Sequence, residues 1–249
     1  MTELGDLAPT LIAVALLMAV TAAVLAGTRV PHAAAPAFAI LRGAAQLAAV
    51  SLILGAVIAS EGWVALALAV MFGVAAMTAA RRLGWGWGHL AMVAGSMAAG
   101  IAVSLVIVFA AGSIDFTPRY ALAVGGIVVG NSMAIAALSG RRFNEAVIER
   151  WDEVEGWLAL GATPRQATRD MARGAVYSAL IPSIDQTKTT GLVTLPGAFV
   201  GAIFGGLSPL EAGRFQIVVL ASIMAAGSVT AMMLISLLAP VRVRPGRLL

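Results

Sequence analysis

The sequence predicts an all-α, polytopic membrane protein of about seven transmembrane helices, with a cytosolic helix–turn–helix elbow. Three observations lead there. Of 249 residues, 60% are hydrophobic and 11% charged, with mean hydropathy +0.96; a soluble domain is about 25% charged. Apolar runs near the ~20 residues that cross a bilayer recur along the chain. One long polar stretch, Arg141 to Ser178, interrupts them. Cysteine is absent, which excludes disulfides and thiolate metal sites. The net charge of +4 fits arginines that set membrane topology and does not call for nucleic acid.

The first span is expected over about residues 7–26. The leading MTELGD is acidic where a secretory signal would be basic, so this run should stay as a helix. A turn with Arg29, Pro31 and Pro36 leads to the second span, 38–59, with Arg42 near its start. Glu61-Gly62 makes a tight connection to the third span, 63–80, which Arg81-Arg82 closes. Trp85 and Trp87 suit a membrane interface before the fourth span, 90–111. A polar loop from Asp115 to Arg119 precedes the fifth, 120–138. After the elbow come the sixth, 180–204, broken around Pro196-Gly197, and the seventh, 215–239. All of 1–249 reads as one transmembrane domain.

Basic residues alternate in side. Arg29, Arg81, Arg82, the elbow's arginines and the tail's Arg242, Arg244 and Arg247 fall on one side. Glu3, Asp6, Glu61, Asp115 and Glu211 fall on the other, with Arg119 and Arg214. The positive-inside rule then puts the N-terminus outside and the C-terminus in the cytoplasm of a cell inner (plasma) membrane.

Within the elbow, Phe143, Val147, Trp151, Val154 and Leu158 recur at steps of three and four, one apolar helical stripe. Glu145, Glu149, Asp152 and Glu153 lie mostly off it. Gly161 suits the left-handed position that ends a helix. Thr163, Pro164 and Gln166 then read as N-cap, first helical residue and capping-box partner. Arg165, Arg169 and Arg173 follow at steps of four as a basic ridge. A helix merely lying on a bilayer has no need of a capped hairpin, so the elbow is expected to be a rigid lever that a partner pushes.

Catalytic chemistry finds little support. The single lysine, Lys188, lies outside any G-x-x-x-x-G-K-[ST] pattern, so ATP would be handled by a separate polypeptide. His32 and His89 stand in loops without a metalloprotease or hydrolase motif. The expectation is a non-enzyme with no cofactor and no metal site of its own. Candidates for a translocation path are Asn131-Ser132, the pair Asp185 and Lys188, and the break at Pro196-Gly197. Asp185 and Lys188, three apart near the inner end of the sixth span, can face each other. They suit either a gate in a polar path or a structural lock. Asn131 and Ser132 equally suit packing between helices, and the break suits a cavity lining or a simple kink. The eleven methionines read as packing filler.

Glu155, followed by Ala159-Leu160-Gly161-Ala162-Thr163-Pro164-Arg165, resembles the EAA-type coupling loop of ABC transporter permeases. With Gly130-Asn131-Ser132-Met133, Leu180-Ile181-Pro182, Lys188-Thr189, Leu195-Pro196-Gly197 and Ser208-Pro209-Leu210-Glu211-Ala212, the set resembles the FetB-type iron export permeases. The plant aluminium-tolerance half-transporters are similar. Gly156-Trp157 stands where a strict importer loop has Ala-Ala, and Asp185-Gln186-Thr187 where this family is expected to have Asn-Ser-Met. The resemblance implies a permease subunit, homodimeric, worked by a separate ABC ATPase that carries the ATP, and exporting iron or another metal. On it, Glu155 and Ala159 through Arg165 are the ATPase-coupling residues. An ion-coupled secondary carrier relaying through Asp185 and Lys188, or a non-transporting membrane scaffold, are the alternatives.

Overall fold

The computed structural model describes residues 2–58 and 60–246, the side chains of 2–7 and of Ala56 excepted. Arg247 of the basic tail, the Glu3 and Asp6 side chains, and the Ala59 end of the second expected span lie outside the described residues. The chain divides into two compact units, Met1–Val57 and Ile58–Leu249.

The first unit is a pair of apolar helices, α1 (Thr2–Gly27) and α2 (Ala35–Val57). Six helices among the described residues are long and apolar enough to cross a membrane, and these are two of them. The turn between them closes α1 with Arg29 N–H donating to Ala26 O at 3.0 Å and Val30 N–H to Leu25 O at 2.9 Å. That double bond pattern needs a left-handed residue, here Arg29 at φ 55. Pro36 stands in the first turn of α2, where its missing N–H costs nothing.

The second unit is a bundle of α3 (Glu61–Arg82), α4 (Trp87–Ala110), α5 (Pro118–Glu149), α6 (Trp151–Ala159), α7 (Pro164–Ala167), α8 (Arg169–Thr189), α9 (Gly197–Phe204) and α10 (Pro209–Leu238). The other four apolar helices of spanning length are α3, α4, α5 and α10. Small residues let their backbones approach, as membrane packing requires. Gly100 of α4 leaves room for the Ala226 carbonyl and Thr230 hydroxyl of α10. Gly125 and Gly140 of α5 seat Leu68 and Leu83. Ser104 donates across to Ser222 O at 3.1 Å.

These pairs fix the directions. Tyr120 meets Phe215, Ile135 meets Gly227, and Phe143 clusters with Ile235, so α5 and α10 run parallel. Leu68 with Gly125 and Leu83 with Gly140 make α3 parallel to α5. Met171 and Ala175 cluster with Ile235, Ala179 with Ala231, and Leu180 lies beside Gly227, so α8 is antiparallel to α10. One end of the bundle therefore gathers Arg81, Arg82, Arg141, Arg142, Arg165, Arg169, Arg173, Arg242 and Arg244.

Three boundaries differ from the sequence expectation. The elbow does not begin at Arg141: α5 continues to Glu149, because no helix breaker follows Gly140, and the chain bends at Arg150 (φ -109, ψ 32). The expected span 180–204 is two helices. Its helix starts at Arg169, and the break is centred on Gly191 (φ 88), before Pro196, which instead precedes the first turn of α9. The segment Arg169–Ser178 is polar enough to read as elbow, yet it is the first half of α8. The last helix starts at Pro209 rather than 215, because Ser208 and Glu211 form a capping box there.

Candidate coupling elbow and the polar helix beside it

The elbow is built by local rules. α6 ends with Gly161 N–H donating to Leu158 O and Ala162 N–H to Trp157 O, both 3.0 Å. Gly161 holds φ 88 between them, with no Cβ to resist it. Two residues later Thr163 caps α7. Its N–H donates to Gln166 Oε1 at 2.8 Å, and its hydroxyl oxygen accepts from Gln166 N–H at 3.4 Å. Pro164 occupies the first turn, as expected. Helix end, turn and helix start are thus each satisfied within a dozen residues, and the turn is stiff.

The apolar stripe is the foundation. Phe143, Val147 and Val154 are buried in one cluster with Ala167, Met171, Ala175, Ile235 and Ala239, and Trp151 and Leu158 pack against it. The stripe holds although the backbone bends at Arg150 in its middle. Thr168, between α7 and α8, is fully buried and donates its hydroxyl to Ala239 O at 2.8 Å. The same hydroxyl lies 3.0 Å from Pro164 O, one turn back, while the nearer acceptor, Ala239 O, is 71 residues away and is marked by no sequence pattern.

The tip faces outward. Leu160 is 82% exposed and Trp157 51%. Glu155, Ala159, Gly161, Thr163 and Arg165 are exposed, and Ala162 and Pro164 half-buried. Glu155 and Arg165 form no ion pair among the described residues. Beneath the tip, Glu153, Trp157, Leu160, Gln166, Arg169 and Arg173 border an open groove of about 490 Å³ with a mixed polar and apolar lining. The basic ridge Arg165, Arg169 and Arg173 borders a second, of about 300 Å³, against Met232 and Ser236. The acidic side is partly neutralised by Arg142–Glu145 (3.2 Å) and Arg150–Glu153 (2.6 Å), both exposed. The tail folds back over the end of α5: Arg244 donates to Ile148 O and Asn144 to Gly246 O, each at 3.2 Å. A guanidinium there suits the negative end of the helix.

The path candidates are less gathered. Asp185 and Lys188 face each other at 3.8 Å, both mostly exposed, in the closing turns of α8. They sit far from the elbow rather than beside it, since α8 begins at Arg169. Asn131 donates to Ile127 O at 2.8 Å in its own helix and not across to a neighbour. Ser132 is buried, and its hydroxyl has no partner among the described residues. Pro196 and Gly197 open α9 beyond a tight loop in which Gly191 N–H donates to Thr194 O at 2.8 Å. No hydrogen bond joins Asn131 or Ser132 to Asp185, Lys188, Pro196 or Gly197 among the described residues. Nor do the described residues hold a group of three or more His, Cys, Asp or Glu placed for a metal ion.

A family model described as "Uncharacterised protein family (UPF0014)" matches residues 8–241, nearly the whole chain. The chain belongs to the UPF0014 family. Its relatives there include the UPF0014 membrane protein STAR2 of Oryza sativa subsp. japonica, 40% identical over 201 residues, 79% of this chain and 70% of that protein. Protein ALUMINUM SENSITIVE 3 of Arabidopsis thaliana is 36% identical over 199 residues, 78% of this chain and 71% of that one. The protein named "Probable iron export permease protein FetB" of Escherichia coli (strain K12) is 38% identical over 120 residues, 48% of this chain and 46% of it. The resemblance read from the elbow and the later helices is thereby shown. No solved structure matches the chain.

Proposed function

We propose that this UPF0014 member is the membrane-spanning subunit of an ABC transporter, a homodimer driven by a separate ATPase chain and exporting iron or another metal. The observation that carries the reading is the elbow: a stiff capped turn with an exposed apolar tip, Trp157 and Leu160, on a buried base that touches α5, α8 and α10. Such a knob suits a groove on a partner, and its base would pass a push to three helices at once. Glu155 and Arg165, exposed beside the tip without ion-pair partners among the described residues, are the charged contacts a docking surface would use.

The topology supports the same reading. α5 and α10 are both of spanning length and run parallel. The chain between them has to return across the bilayer, and α8 with α9 is the segment available, a broken seventh crossing. The arginine-rich end of the bundle is then the cytoplasmic side, where the elbow would meet a soluble ATPase. That count leaves the N-terminus outside and the C-terminus inside an inner (plasma) membrane. The metal enters from the name of the FetB relative.

The test is capture of the tagged protein from mild detergent, with the Gly161–Pro164 turn intact or replaced by a flexible linker. Co-purification of a soluble ATPase with the intact protein, lost with the linker, supports the reading. An intact protein that brings down no ATPase, yet moves solute in a proton-gradient assay, would replace it with a secondary carrier in which Asp185 is the residue to examine.

A further inference from the structure

α8 packs on the bundle by one face and leaves a polar one open. Met171, Ala175, Ala179 and Ser183 are buried. Asp170, Arg173, Tyr177, Ile181, Asp185 and Lys188 are all exposed, at steps of three and four, and so form one stripe along the opposite side. In a soluble protein this would be an ordinary wet face. Here the opposite face of the same helix packs against α5 and α10, two helices of spanning length. Leu180 sits beside Gly227, about 17 Å along α10 from its C-terminal end at ~1.5 Å per residue. Asp185 and Lys188 are more than a turn further on. In a hydrocarbon layer about 30 Å thick that starts at that end, Asp185 at about 24 Å falls inside and Lys188 at about 29 Å lies near the far edge. Ionisable groups at that depth face protein or a water-filled cavity rather than lipid.

The geometry points to a second copy of this chain as the cover, with the two α8 stripes facing each other across a two-fold axis along the membrane normal. This rests on the permease reading above and names its dimer interface. The stripe is self-complementary. Near each end a carboxylate precedes a cation by three residues: Asp170 with Arg173 and Asp185 with Lys188. Within one copy these pairs are loose, 3.9 Å and 3.8 Å. Each cation therefore has donors left for the second copy's carboxylate. Two copies inserted the same way up bring the stripes together in parallel, so each end meets its like and the cross-pairs form at both ends, as an isologous contact requires. Tyr177 and Ile181 fill the middle. Gly174 beside them has nothing within 4 Å of where a Cβ would stand, which leaves room for close approach. The interface then holds the charged pair away from lipid.

The absence of cysteine makes the test direct. Single variants Tyr177→Cys and Ile181→Cys are oxidised in native membranes beside Ile217→Cys and Leu237→Cys, exposed positions on α10. Disulfide-linked dimers at the α8 positions and not at the α10 positions are expected. In parallel, two differently tagged copies are co-expressed. Asp185→Lys alone and Lys188→Asp alone should each lower co-capture about tenfold, since like charges across an interface repel. Co-expression of one variant with the other should restore it, which pairing within a single helix does not explain, and the rescue shows that both variants fold. Cross-links on α10 without any on α8, or no rescue by the mixed pair, overturn the interface and leave the permease reading standing if the ATPase still co-purifies. Cross-links on α8 with no ATPase captured keep the interface and sink the permease reading instead.

Discussion

The hydroxyl of Thr168 lies 2.8 Å from the carbonyl oxygen of Ala239, so the residue that joins α7 to α8 is tied to the residue that closes α10. Thr168 is fully buried and Ala239 6% exposed, so water has little access to replace either partner. Thr168→Val keeps the shape and removes the donor. The Ala239 carbonyl keeps its bond from Val241 N–H at 2.7 Å, so the change should cost about 0.5–1.5 kcal/mol, the net worth of one hydrogen bond. Hydrogen exchange should quicken from Gly161 to Met171 while membrane insertion is unchanged, and Thr168→Ser should restore protection. Equal exchange in the Val and Ser variants would show that the bond does not hold the elbow.

Gly161 is the second point of control. Its φ of 88 is a region that β-branched residues avoid, and open space around it means strain rather than collision decides the outcome. Gly161→Val should cost about 1–3 kcal/mol locally and reshape the turn. The expected readout is normal insertion with ATPase capture and stimulated hydrolysis both lost. Undiminished stimulation would remove the lever from the mechanism.

Docking itself can be separated from turn geometry. Leu160 is 82% exposed, so Leu160→Asp leaves the bundle intact and changes only the tip. The thermal midpoint of the detergent-solubilised protein should move little, as surface changes stay within about 0.5 kcal/mol. ATPase capture should fall by about tenfold or more, because a charge would be buried in an apolar contact. Unaltered capture would move the docking surface elsewhere on the chain.

The sequence made some of this readable and hid the rest for a physical reason. Gly161, Thr163 and Gln166 were legible because each acts on backbone groups within a few residues. The stripe from Phe143 to Leu158 was legible as a period, yet the bend at Arg150 was not, since no Gly or Pro marks it. The start of α8 was misplaced because Arg169, Asp170 and Arg173 are too polar for a span, so the elbow's second helix and the sixth span were read as separate elements although they are one helix. The contact of Thr168 with Ala239 has no local signature at all. Asn131 donates to the Ile127 carbonyl one turn back in its own helix, a bond that the sequence pattern does not distinguish from one to a neighbouring helix.

Close packing supplies a test of the fold independent of function. A Cβ at Gly100 would overlap the Ala226 carbonyl oxygen, a backbone atom that cannot turn aside. Gly100→Ala should destabilise by about 1–3 kcal/mol through overpacking. Gly95→Ala, on the same helix with nothing within 4 Å, should be neutral or stabilising, as Ala outranks Gly in helices. Equal thermal midpoints for the two variants would refute the α4–α10 contact.

That contact also sets a waiting time during synthesis. Ser104 and the Ser222 carbonyl it binds are 118 residues apart. At ribosomal rates of roughly 5–20 residues per second, α4 leaves the ribosome on the order of ten seconds before its partner exists. For that interval the cleft at Gly100 and the hydroxyl of Ser104 stand open to lipid or to whatever else the insertion machinery offers. Chains truncated before Pro209 should linger in association with that machinery, and release should follow once the last helix has been made.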